Sequence, residues 1–138
     1  MKNLLFLLVL FISNNIYSQN FWHQTASPSS GTIVTISINS TGYIFAGDGV
    51  TGIYRSTDIG VTWSQTNNGL TNTSLQIIKA KPNGELVAGS QSGGAFRSTN
   101  SGDNWVSINN GITNYGVNIF ATSPNGYIRF MMLTSTIK

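Results

Sequence analysis

Four carboxylates, one imidazole and seven lysines and arginines are all the ionisable chemistry this 138-residue chain carries at neutral pH. The acids are Asp48, Asp58, Glu85 and Asp103, the histidine is His23, and there is no cysteine. Without a thiol, disulfides, thiolate metal sites and thiol nucleophiles are excluded. A catalytic triad or a His-based metal site would rest on His23 alone, at the expected edge of a strand. Glycoside cleavage of the usual kind needs two carboxylates facing each other across a cleft. Here Asp58 belongs to a tight turn, Asp103 occupies an expected solvent-facing place in a second such turn, and Glu85 follows the turn residue Gly84. Asp48 stands in a glycine-rich loop and becomes Ser90 in the next copy of that loop. The Asp58 turn lacks the several carboxylates of an EF-hand. The residues therefore predict no catalytic set, no metal site and no cofactor.

The elements that hold these residues repeat. Ser56-Thr57-Asp58-Ile59-Gly60-Val61-Thr62-Trp63 returns 42 residues later as Ser98-Thr99-Asn100-Ser101-Gly102-Asp103-Asn104-Trp105. Laid without a gap on 84–125, residues 42–83 are identical at 17 of 42 positions. A fixed period of this size marks stacked units that cannot bury their apolar faces alone. Within each unit the pattern predicts four short strands: Ile33–Ile38, Tyr43–Ala46, Ile53–Ser56 and Thr62–Gln65, then Leu75–Lys79, Glu85–Ala88, Ala95–Ser98 and Asn104–Ile108. Asn67-Asn68-Gly69-Leu70-Thr71-Asn72 and Asn109-Asn110-Gly111-Ile112-Thr113-Asn114 make the crossings between units. Trp22 aligns with Trp63 if one residue is missing, so the chain is expected to open on the last strand of a unit. A third unit begins at Val117, and its match to the period is lost after Ile128.

Four strands per 42 residues predict propeller blades. The expected architecture is all-β: two complete four-stranded antiparallel blades with partial blades at both ends, an incomplete, open propeller. In each octet an Asp or Asn can bond its own backbone two residues on, and Gly60 or Gly102 can take positive φ. Trp63 and Trp105 then start the fourth strand and are expected to bury a ring of about 150–250 Å². The tryptophan should outweigh the acid, since a turn hydrogen bond nets only about 1 kcal/mol. The change from Asp58 to Asn100, which keeps the acceptor and drops the charge, agrees.

The octet, with Tyr54-Arg55 or Phe96-Arg97 before it, resembles the Asp-box, or BNR repeat. The resemblance spans roughly residues 21–128. It implies a box in the turn between the third and fourth strands of a propeller blade, structural and away from the ligand face. Its residues would be Ser56, Asp58, Gly60, Thr62 and Trp63, then Ser98, Asn100, Gly102, Asn104 and Trp105. Members include sialidases, xyloglucan-cleaving glycoside hydrolases, sortilin-type receptors and photosystem II assembly factors. A sialidase of this kind would carry an arginine cluster and an Arg-Ile-Pro motif, and that motif is absent. Arg55 and Arg97 hold equivalent repeat positions, as blade structure would require, and Arg129 lies where the repeat is lost.

Charged residues make up only 8% of the chain, while Asn, Ser and Thr together number 48. The net charge of +3 at pH 7 is scattered, without the clustered basic footprint of a nucleic-acid binder. Lys2, the apolar run Leu4 to Ile12 and a polar stretch ending at Ser18 read as a secretory signal peptide, too short to span a membrane. The expected map is a leader at 1–18, a leading strand and first blade strand at 19–41, repeats at 42–83 and 84–125, and a truncated third blade at 126–138. The expected role is a secreted, non-catalytic scaffold or binding module, part of a larger protein. It would be extracellular or periplasmic, with a protein or carbohydrate ligand, no nucleic acid and no membrane insertion after leader removal. Self-association through open blade edges is also expected. The alternatives are a remnant of a sialidase-like or xyloglucanase-like enzyme, and a propeller of the photosystem II assembly type.

Overall fold

The computed structural model describes residues 24–123, 125 and 127–131. The leader, Trp22 and His23 lie outside them. Among the described residues there are ten strands and no helix. They are β1 (Ile33–Ile38), β2 (Ile44–Asp48), β3 (Gly52–Ser56), β4 (Ser64–Gln65), β5 (Leu75–Ala80), β6 (Leu86–Ser90), β7 (Ala95–Ser98), β8 (Val106–Ser107), β9 (Ile119–Thr122) and β10 (Ile128–Met131).

The strands form two antiparallel meanders, β1-β2-β3-β4 and β5-β6-β7-β8, and the pair β9-β10. The meanders are equivalent down to their irregularities. Ile33 pairs with Asp48 and Leu75 with Ser90, and a register shift follows each pair, before Thr35 and before Ile77. The third unit departs from the sequence reading. Ile128 pairs with Thr122 and Met131 with Ile119, so the ladder runs on in the register of Ile44 with Ile38 after the side-chain repeat has lapsed. Ladder bonds are made by backbone groups, and pairing survives the change of side chains.

The meanders stack as propeller blades. Register puts Phe45, Ile53, Thr35, Ser37 and Arg55 on one face of the first sheet, here its front, and Ile36, Ile38, Ala46 and Tyr54 on its back. Phe45 and Ile53 pack on Leu75, Ile78, Leu86, Ala88 and Phe96 from the back of the second sheet, with Trp105 completing the cluster. Val87 and Ala95, from the front of the second sheet, pack in turn on Ile112 of the crossing and on Val117 and Phe120 of the third unit. The same front-on-back interface thus occurs twice. The first is also sealed by hydrogen bonds: the amides of Ile78 and Ala80, on the open edge of β5, donate to Thr35 Oγ1 (3.1 Å) and Ser37 Oγ (2.9 Å). An edge strand that would otherwise present bare amides is closed by the hydroxyls of the preceding blade.

The fourth strands are shorter than the sequence suggests. Thr62 and Asn104 give their amides to the octet turn, and Trp105 gives its amide to Asn68 O of the preceding crossing at 2.8 Å. The tryptophans consequently precede β4 and β8 instead of starting them. The crossing asparagines clamp the third strands: Asn67 Oδ1 accepts from Ile53 N at 2.8 Å, and Asn109 Oδ1 from Ala95 N at 2.7 Å.

Candidate functional site

The two octets close bond for bond. Ser56 Oγ donates to Asp58 Oδ1 (2.7 Å) and accepts from Gly60 N (2.8 Å), while Asp58 Oδ1 accepts from Thr62 N (2.9 Å). In the second copy Ser98 Oγ donates to Asn100 Oδ1 (2.9 Å) and accepts from Gly102 N (2.9 Å), while Asn100 Oδ1 accepts from Asn104 N (3.0 Å). An amide oxygen replaces a carboxylate oxygen with no change of geometry, as the loss of charge between copies predicts. The first copy has one bond more, from Thr62 Oγ1 to Asp58 Oδ2 at 2.5 Å. That hydroxyl, followed by the Thr62 amide and the Ser56 hydroxyl, holds the Asp58 carboxyl down from its ordinary 3.8 to about 2. Asn104 uses its side chain differently, accepting from Asn68 Nδ2 across the blade boundary. Gly60 and Gly102 have φ of 86° and 88°. The residues before them are also left-handed, Ile59 at 60° and Ser101 at 54°, a feature their side-chain types do not announce.

The tryptophans differ. Trp105 is 3% exposed, and its Nε1 donates to Thr66 O at 3.0 Å. Trp63 remains partly exposed, with its Nε1 on Ala26 O at 3.0 Å. The expected burial of a large ring is seen in full at Trp105 and only in part at Trp63. Trp105 lies beneath a whole preceding blade, whereas the described residues preceding the first blade supply Trp63 with a short segment.

Each of the remaining acids has local partners. Asp48 is fully buried at the end of β2 and accepts from Ser29 Oγ (2.6 Å), Val50 N (2.7 Å) and Thr51 N (2.9 Å). The Ser29 hydroxyl is the main cause of its lowered pKa, with the Thr51 and Val50 amides adding to it against burial. Ser90, its counterpart, is equally buried and accepts from Gly93 N at 2.9 Å. Glu85 pairs with Lys81 at 2.6 Å, which lowers its pKa. Asp103 is not simply solvent-facing: although 59% exposed, it pairs with Arg55 Nη1 of the preceding blade at 2.6 Å. The same nitrogen donates to Ser101 O at 2.8 Å. Arg55 is thus a latch between blades. Its partner is invisible in the repeat because Val61 stands where Asp103 would be predicted. Arg97 and Arg129 are both exposed.

None of the four acids is paired with another, and the described residues hold no group of three His, Cys, Asp or Glu placed to bind a metal ion. No described helix is long and apolar enough to cross a membrane. A cavity of about 320 Å³ opens beside the first octet, lined by Gln24, Thr25, Ala26, Ile59, Gly60 and Val61. Thr25 packs against Gly60 there as Thr66 packs against Gly102 in the second octet.

No family model matches the chain, and no curated protein matches it. Solved structures do. The chain is similar to YCF48 bound to a D1 peptide, with a TM-score of 0.55 and 22% identity over 78% of this chain and 36% of that one. It is also similar to the extracellular domain of a protein described as a hybrid two component system from B. thetaiotaomicron, with a TM-score of 0.59 and 15% identity over 82% of this chain and 17% of that one. The chain therefore spans well under half the length of either neighbour, and the likeness extends to the β-propeller fold that its own stacked sheets display.

Proposed function

We propose that this chain is a secreted, non-catalytic segment of an Asp-box propeller that serves as a scaffold for binding polypeptide. The observation that carries the reading is that all four carboxylates are committed to architecture: Asp48 to a hairpin, Asp58 to an octet turn, Glu85 to Lys81 and Asp103 to Arg55. A hydrolase of the two-carboxylate kind needs acids that converge on open space. The bond-for-bond match of the two octets supports the Asp-box assignment and a structural role for Ser56, Asp58, Gly60, Thr62, Trp63, Ser98, Asn100, Gly102, Asn104 and Trp105. A structural neighbour that is bound to a peptide supports a polypeptide ligand. The leader read at 1–18 supports an extracellular or periplasmic location, and the repeat supports the blade boundaries at 42, 84 and 126.

The test offers the purified chain extended peptides in a tryptophan-fluorescence titration, and in parallel an aryl sialoside and xyloglucan oligosaccharides. Saturable peptide binding without glycoside turnover is expected. Turnover that is abolished by Asp48→Asn or Glu85→Gln would overturn the reading.

A further inference from the structure

The interface that joins the blades occurs twice within the chain, and among the described residues each half of it also occurs once without a partner blade. The back of the second sheet is covered by the front of the first, and Ile78 there is fully buried. Its counterpart on the back of the first sheet is Ile36, which is 63% exposed, and next to it on that face Ile38 is 61% exposed, whereas Ala46 on the same face is buried and Tyr54 half-buried, so the exposed part is the β1 side. At the other end of the stack, the front of β9-β10 presents Ile119, 48% exposed, together with Ala121 and Arg129. These match Thr35, Ser37 and Phe45, which in the first blade cover the second.

The cavity falls at the corresponding place. In the buried interface the Phe45 ring reaches the second octet, where its Cε1 lies 3.3 Å from the position a Cβ on Gly102 would occupy. At Gly60 of the first octet, the cavity bounded by Gln24, Thr25 and Val61 opens instead. The residue at the Phe45 position of the third unit is Arg129. Its long apolar stem can fill such a notch while the guanidinium reaches the polar side chains of Gln24 and Thr25 and the Ile59 carbonyl. The counterpart of that carbonyl, Ser101 O, already accepts from Arg55 in the second octet.

We infer that the back of the first sheet is a docking surface for a second copy of this chain, which presents the front of its β9-β10 pair and seats Arg129 in the cavity beside Gly60. The contact is heterologous, head to tail, and continues the interface already made twice inside the chain. It rests on the fold and is independent of whether peptides are bound.

Sedimentation velocity over a wide concentration range tests it, with Ile36→Lys and Ile119→Lys each altering one of the two surfaces. Both positions are exposed, so the folded chain should accept either lysine; Ile36→Thr is a milder variant suited to a strand. The wild-type chain should self-associate, and each lysine variant should do so on the order of tenfold less tightly or worse, since a charge would be buried unpaired. An equimolar mixture of the two should form a one-to-one heterodimer, because each variant keeps the surface that the other lacks. Three results would overturn the proposal: a wild-type chain that stays monomeric throughout, an Ile119→Lys variant that associates as well as wild type, or folded variants that fail to complement each other.

Discussion

At the scale of single residues, the octets separate geometry from charge. Asp58 and Asn100 accept the same bonds from the same positions, so the turn needs an oxygen acceptor and tolerates loss of the carboxylate. The tryptophan that follows carries more. Trp105→Ala should cost about 3–5 kcal/mol by denaturant titration, the range for a large buried aromatic. Trp63→Ala should cost less, and Asp58→Asn less than Trp105→Ala. Equal losses for Asp58→Asn and Trp105→Ala would contradict this ranking. The carboxylate does set the acid response. A carboxyl whose folded pKa is depressed stabilises the fold above its unfolded pKa and loses that contribution as pH falls through the folded value. For Asp58 the window runs from 3.8 down to about 2, and Asp48 and Glu85, also depressed, act in the same direction. Stability should therefore fall as pH drops below about 4, with a shallower slope for Asp58→Asn, measured as thermal midpoints at stepped pH. That each octet closes as a hydrogen-bonded turn was legible in the sequence because its groups are local and repeated. Asp58 and Asn100, however, accept from the amides four residues on, Thr62 and Asn104, and not from those two residues on, because the Gly60 and Gly102 amides donate to the Ser56 and Ser98 hydroxyls. The Arg55–Asp103 latch was not, because it joins different blades and its acid occurs in only one copy.

At the scale of elements, what joins one blade to the next explains where sequence reading stopped. Alternation and turn glycines mark the strand positions, but the fourth strands are shorter than the sequence implies, since amides in the octets serve turns and neighbouring blades instead of a ladder. Gly69 and Gly111 are identical in the repeat and different in the fold. Gly69 has φ 87° and lies so close to the Trp105 carbonyl that a Cβ would collide with it, whereas a Cβ on Gly111, φ 81°, would meet nothing within 4 Å. Gly111→Ala should therefore cost about 1–2 kcal/mol from left-handed strain alone. Gly69→Ala should cost distinctly more, because it adds a backbone collision and pushes the crossing away from Trp105. Chemical denaturation of both variants checks this, and equal losses would show that the crossing does not bear on the second blade as described.

At the scale of the whole molecule, a unit that cannot bury both of its faces must borrow a neighbour. The sequence made this legible through its period, and the stacked sheets bear out the propeller-blade architecture. What the period could not supply was the contrast between faces of like composition: Ile78 is buried and Ile36 is exposed because, among the described residues, only Ile78 has a blade in front of it. Amide hydrogen exchange measures the stacking directly. The Ile78 and Ala80 amides lie on the open edge of β5 and have no ladder partner; only the Thr35 and Ser37 hydroxyls of the preceding blade accept from them. Both amides should exchange slowly in the folded chain, and the Ile78 amide should lose protection in Thr35→Val while its neighbours in β5 keep theirs. Fast exchange at Ile78 and Ala80 in the unaltered chain would contradict blade-on-blade stacking.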